Sequence, residues 1–384
     1  MTGTFSPPKQ LRPEQVATRL PSLTGLRWVA AFAVWIYHST QNVEKLTLFR
    51  DGHFNDRLHA LALPGGGIGV QTFFVLSGFV LTWSARPGDT ARAFWRRRLA
   101  KVYPNYLFTF ALAALMYAAA ITPLWVLLLN LAMLQPWVPD INAFFSVNMP
   151  SWSVGVEALF YASFPLLYAF LRRVPAERLR HWITGLVAAN VAVPVLLSLS
   201  LPSSPHVITG PASELQLYLA YIFPPSRLLE FALGILVARA VQTGRWRDMG
   251  TLPAGLLMAA SYVLAMFVPY LYGLRAVSVL PIALLIAAAA NADLRGHRTV
   301  LRSRVMVWLG NISYAFYLSQ LLVYMTVRFS LGPDTFSTPV SFGILAFDLA
   351  LTLAVSTGMY YGIERPLMRR FARPRPRAGR SVTA

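Results

Sequence analysis

Apolar residues in this chain fall into runs of about twenty, the length a helix needs to cross a hydrocarbon core, separated by short basic or Pro/Gly-rich breaks. The pattern predicts helices near 24–41, 67–84, 104–121, 152–171 and 181–201, then near 227–241, 252–269, 274–291, 311–329 and 340–362. Two other apolar stretches, 123–135 and 215–223, are short and read as re-entrant or interfacial helices. The expected fold is an all-α, polytopic integral membrane protein with about ten transmembrane helices. No internal repeat of the kind many transporters show stands out.

Composition agrees with this reading. Of 384 residues, 56% are hydrophobic and 13% charged, against about 25% charged in a soluble domain. The formal net charge of +19 does not point to nucleic acid, because the arginines sit in clusters between apolar runs. Clusters occur before the first helix (Lys9, Arg12, Arg19) and in the second, fourth, sixth and eighth connections. They recur after the last helix, whereas the third and ninth connections carry no Lys or Arg. This alternation predicts that both termini are cytoplasmic. Cysteine is absent, which excludes disulfides, a cysteine nucleophile and thiolate metal sites. No resident metal or cofactor is expected. Residues 1–20 read as a cytoplasmic segment without a cleaved signal peptide. Residues 21–366 read as one membrane domain and 367–384 as a disordered basic tail.

Ionisable residues inside the apolar runs mark candidate chemistry, since charge in hydrocarbon is costly. In LTGLRWVAAFAVWIYH, Arg27 and His38 are eleven residues apart. That is about 16 Å of helix, with both side chains within about 20° of one face. They are either functional groups along a protein-lined path or a snorkelling arginine and a capping histidine. Glu157 in PSWSVGVEALFY lies about 8 Å from its helix start, a depth comparable with His38. It shares a face with Ser153 and Tyr161. A histidine and a carboxylate at one depth suit a base and its orienting partner. Arg97, Arg98 and Lys101 in ARAFWRRRLAKVYPNY could cradle phosphate, or serve orientation alone. Gly65, Gly66, Gly67 and Gly69 allow a tight turn or close backbone approach, and Ser77-Gly78 is a small-residue packing site. Arg227 and Glu230 form either an intrahelical ion pair or an acceptor contact. Asp348 is a mid-span charge without an evident partner.

Taken together these segments resemble the acyltransferase type 3 family of integral membrane O-acyltransferases. Its hallmark of a basic residue, ten intervening residues and a histidine is matched by Arg27 and His38. GVQTFFVLSGFVLT, FWRRRLAKVYPNY, WSVGVEALFYASFPLL, RLLEFALGIL, LGNISYAFYLSQLLV and YGIERPLMRR resemble its further motifs, in order and over nearly the whole chain. Thr24 stands where the family usually has Asp, Lys101 where arginine is common, and Gln320 where a Trp-His pair often sits. The opening Leu-Thr-Gly-Leu-Arg also resembles the subgroup that acylates macrolide and other polyketide antibiotics.

The resemblance implies transfer of an acetyl or other short acyl group from acyl-CoA, as co-substrate, to a hydroxyl of a carbohydrate or glycosylated natural product. In this expectation Arg27, Arg97, Arg98, Lys101 and Tyr103 bind acyl-CoA. His38 acts as general base or transient acyl carrier, and Glu157 orients it. Ser77, Ser153, Tyr161, Arg227 and Glu230 bind substrate or support the site. The competing class is a transporter or flippase for a glycan or lipid-linked sugar, using the same charges as a substrate path.

Overall fold

A computed structural model describes residues 20–43, 46–86, 88–207 and 210–371. Every helix expected from the apolar runs forms. In order these are α1 (Pro21–Ser39), α2 (Gly52–Trp83) and α3 (Ala91–Ile121), then a short α4 (Leu124–Leu131). They continue with α5 (Met149–Leu171), α6 (Ala176–Ser200), α7 (Glu214–Gln242) and α8 (Thr251–Ala265). The last three are α9 (Tyr270–Leu294), α10 (Arg304–Ser330) and α11 (Thr338–Phe371). Eight of these are long and apolar enough to span a bilayer: α2, α3, α5, α6, α7, α9, α10 and α11. The apolar helix α8 is shorter, and α1 interrupts its apolar run with Arg27 and His38. Leu115, Leu166 and Leu199 stand fully outward on α3, α5 and α6, an arrangement that lipid solvates and water would not. The protein is a polytopic helical membrane protein.

Two helices begin well before their apolar runs. The Asp51 carboxylate accepts from Phe54 N at 3.0 Å and starts α2 fifteen residues ahead of the expected boundary. The glycine run therefore lies inside a helix rather than in a turn. Thr90 Oγ1 likewise accepts from Ala93 N at 3.2 Å, so the basic stretch from Ala91 is helical and continuous with α3. N-capping overrides hydropathy in both cases. At the other end α11 is helical through Phe371, past the expected start of the tail, while residues 1–19 and 372–384 lie outside the described residues.

At the centre α2 packs on α1 and α7, and α1 packs on α10. Glycines permit these contacts. A Cβ on Gly69 would lie 2.7 Å from Ala30 O of α1, and one on Gly310 would lie 1.9 Å from Thr24 O. Such close approach of helix backbones is the usual means of association in lipid.

Several polar groups inside the bundle pair across helices. Ser22 N and Oγ both donate to the Asp293 carboxylate at 2.8 Å, placing an acid at the positive end of α1. Trp35 Nε1 donates to Asp348 Oδ2 at 2.8 Å, which supplies the partner that the mid-span acid lacked in the sequence.

Candidate active site

Three adjoining cavities run through the bundle. The widest, about 590 Å³, is a vestibule between the start of α3 and the end of α5, lined by Arg86, Arg97, Arg98, Lys101 and Arg172 among others. It shares Val80, Leu81, Arg98 and Lys101 with a narrower inner cavity of about 90 Å³. That inner cavity is also lined by Arg27, Ser77, Ser153, Glu157, Tyr161, Tyr314 and Tyr317. The third, the outer cavity of about 50 Å³, holds His38 with Tyr37, Phe145, Trp152, Tyr221 and Tyr270, and shares Val70 and Tyr317 with the second. Arg27 and His38 thus face adjoining cavities from the same side of α1, as their spacing requires.

The inner cavity is cationic. Arg27, Arg98 and Lys101 line it with a single carboxylate, Glu157. Arg27, Arg98, Glu157 and Glu364 all lie within electrostatic reach of Lys101. Glu364 comes from the closing Glu-Arg-Pro of α11 and accepts from Asn105 Nδ2 at 2.9 Å, which ties that helix to the middle of α3. Three cations against two acids leave a net positive pocket suited to an anion. At the vestibule mouth Arg97 is ion-paired with Asp89.

The expected pairing of Glu157 with His38 does not form. Glu157 Oε1 accepts from Ser77 Oγ at 2.8 Å and Oε2 from Tyr161 OH at 2.7 Å, and the two residues line different cavities. Depth along separate helices fixes one coordinate only. Ser153, one turn nearer the start of α5, reaches Tyr317, where the cavities meet. His38 is buried, and its Nδ1 has no hydrogen-bond partner among the described residues. The Gln320 carboxamide approaches the imidazole, yet neither of its polar atoms is hydrogen-bonded among the described residues. A buried imidazole and amide with unused polar atoms beside an aromatic cavity form a site ready for a polar ligand group.

Other expected site residues lie elsewhere. Tyr103 donates to Leu131 O at 3.2 Å and lines an apolar groove with Trp95, Leu99 and Met133, which meets the inner cavity at Arg98, Val102 and Tyr161. Arg227 and Glu230 are an ion pair at 3.1 Å with no exposed surface. Glu230 Oε1 also accepts from Gln71 Nε2 at 2.8 Å, and Arg275 donates to Asn190 Oδ1 and Ala220 O nearby. The intrahelical reading therefore describes their geometry, behind the cavity walls. There the Arg227 guanidinium lies over the Phe74 and Tyr221 rings at 5.0 and 5.1 Å. Sequence reasoning did not single out Tyr314, Tyr317 or Glu364. Their only signal was membership of the last two motifs.

The chain is similar to known proteins over most of its length. The family described as an acyltransferase domain matches residues 20–360. The chain is 41% identical over 375 residues to acyltransferase MdmB of Streptomyces mycarofaciens, covering 93% of this chain and 94% of that protein. It is 28% identical over 248 residues to O-acetyltransferase OatA of Staphylococcus aureus, covering 57% of this chain and 34% of that protein. No solved structure matches. The chain belongs to the acyltransferase type 3 family.

Proposed function

We propose that this membrane acyltransferase takes a short acyl group from acyl-CoA and transfers it to a hydroxyl of a carbohydrate or glycosylated natural product, a cell-surface glycan or a macrolide. The observation that carries this reading is the series of cavities from a basic vestibule to a buried histidine. Arg86, Arg97, Arg98 and Arg172 give the vestibule the donor groups that phosphates need. Arg98 and Lys101, shared with the inner cavity, hold the entering arm, and Arg27 lines its path. The roughly 16 Å along α1 from Arg27 to His38 is comparable with an extended pantetheine arm. By the distribution of basic residues the vestibule opens to the cytoplasm, where both termini also lie.

In the transfer step the acceptor oxygen attacks the thioester carbonyl and its proton passes to His38. The carbon–oxygen bond forms as the carbon–sulfur bond breaks, and the leaving thiolate takes the proton back from the imidazolium. Tyr37, Phe145, Trp152, Tyr221 and Tyr270 offer aromatic faces to an acceptor ring. The similarity to OatA, an O-acetyltransferase, supports an oxygen acceptor. Glu157 acts on the donor side, balancing the cations and fixing Ser77 and Tyr161.

Acetyl-CoA affinity tests the donor half, by titration calorimetry on purified protein in detergent. Arg98→Ala and Lys101→Ala are each expected to weaken binding about 10- to 100-fold, the loss of one charge-assisted contact. Unchanged affinity in both variants removes the basic cavities from donor binding.

A further inference from the structure

The inner and outer cavities meet at two side chains, Val70 of α2 and Tyr317 of α10. Tyr317 is fixed on every side. Its hydroxyl shares a 2.7 Å hydrogen bond with Ser153 Oγ, a wall of the inner cavity, and donates to Pro150 O at 3.1 Å, a wall of the outer one. The Phe73 ring meets it edge-on with centroids 5.5 Å apart. Both Val70 and Tyr317 are almost wholly buried. A ring pinned by two hydrogen bonds and an aromatic contact is a fixed constriction and not a swinging door.

We propose that Tyr317 and Val70 determine acyl-group specificity, admitting a short acyl group to the His38 cavity and holding longer chains back. The proposal rests on the acyl-CoA reading above. The space beyond the constriction, about 50 Å³, is smaller than the inner cavity of about 90 Å³. An acyl chain must therefore narrow at Tyr317 and then fit the smaller aromatic chamber around His38. A longer chain that cannot pass leaves its thioester short of His38 and its tail crowded among Phe73, Phe74 and Tyr314. Removing the ring joins the two cavities and relieves that crowding, while leaving Arg27, Arg98 and Lys101 in place.

The test needs no acceptor. Acetyl-CoA, butyryl-CoA and octanoyl-CoA are titrated into the full chain purified in detergent, as wild type, Tyr317→Ala and Val70→Ala. Wild type is expected to bind octanoyl-CoA at least tenfold more weakly than acetyl-CoA. Tyr317→Ala is expected to gain at least tenfold for octanoyl-CoA with acetyl-CoA affinity within threefold of wild type. Val70→Ala, the milder change, should shift the profile in the same direction and serves if Tyr317→Ala does not fold. A substitution that merely loosened the fold would weaken all three donors together. Equal binding of the three by wild type, or an unchanged length profile in a variant that still binds acetyl-CoA, overturns the proposal. Absence of binding of any acyl-CoA by wild type instead overturns the donor reading beneath it.

Discussion

Acyl transfer falls by about 10²- to 10⁴-fold in His38→Ala, the range that loss of a general base produces, while acetyl-CoA binding stays close to wild type. The division follows from geometry. His38 lines the outer cavity, and none of the basic residues of the vestibule or inner cavity shares that wall. Its Nδ1 carries no structural hydrogen bond among the described residues, so truncation strands no partner there and the fold survives. His38→Gln should be equally inactive, because an amide fills the volume without accepting the proton. Steady-state rates with labelled donor, read beside calorimetric donor affinity, check this. A His38→Ala enzyme that keeps wild-type turnover removes the imidazole from the reaction, and one that loses donor binding relocates it to the donor site.

Gly234→Val is expected to abolish accumulation of folded protein. Where α2 crosses α7, a Cβ on Gly234 would lie 1.9 Å from Val75 O, and a Cβ on Gly78 would lie 2.0 Å from Phe231 O. The obstruction is reciprocal and made of backbone, so no rotamer change relieves it. The helices must separate, at a cost of more than about 3 kcal/mol. Gly185→Ala on α6, where nothing lies within 4 Å, should be silent. Monodispersity and thermal melting in detergent report both. A Gly234→Val protein that melts with wild type would mean that α2 and α7 do not approach as described.

The features that periodicity and charge reveal were legible in the sequence, and those set by the azimuth of neighbouring helices were not. Apolar runs marked every long helix, because burial in lipid demands an unbroken apolar stretch. They missed the starts of α2 and α3, where Asp51 and Thr90 extend a helix into polar sequence. Ser77-Gly78 was readable as a packing site because small residues in an apolar run have few other uses. The spacing of Arg27 and His38 turned both toward adjoining cavities because a single rigid helix carries them. Glu157 and His38 sit on different helices, and shared depth could not tell that Ser77 and Tyr161 would claim the carboxylate. Tyr317 was invisible for a different reason. An uncharged aromatic in an aromatic-rich membrane helix looks like packing until the cavities on its two sides are seen.

The central claim is that acyl-CoA delivers its acyl group along the cavities to an acceptor hydroxyl at His38. Its most direct test supplies radiolabelled acetyl-CoA and propionyl-CoA to the purified protein in detergent with a panel of sugar and macrolide acceptors, His38→Ala alongside. Label is expected on an acceptor, ester-linked, with release of one CoA per acyl group transferred, and none with His38→Ala. Label transfer to an acceptor at the same rate by His38→Ala, or transfer from a donor other than the CoA thioester, would contradict it.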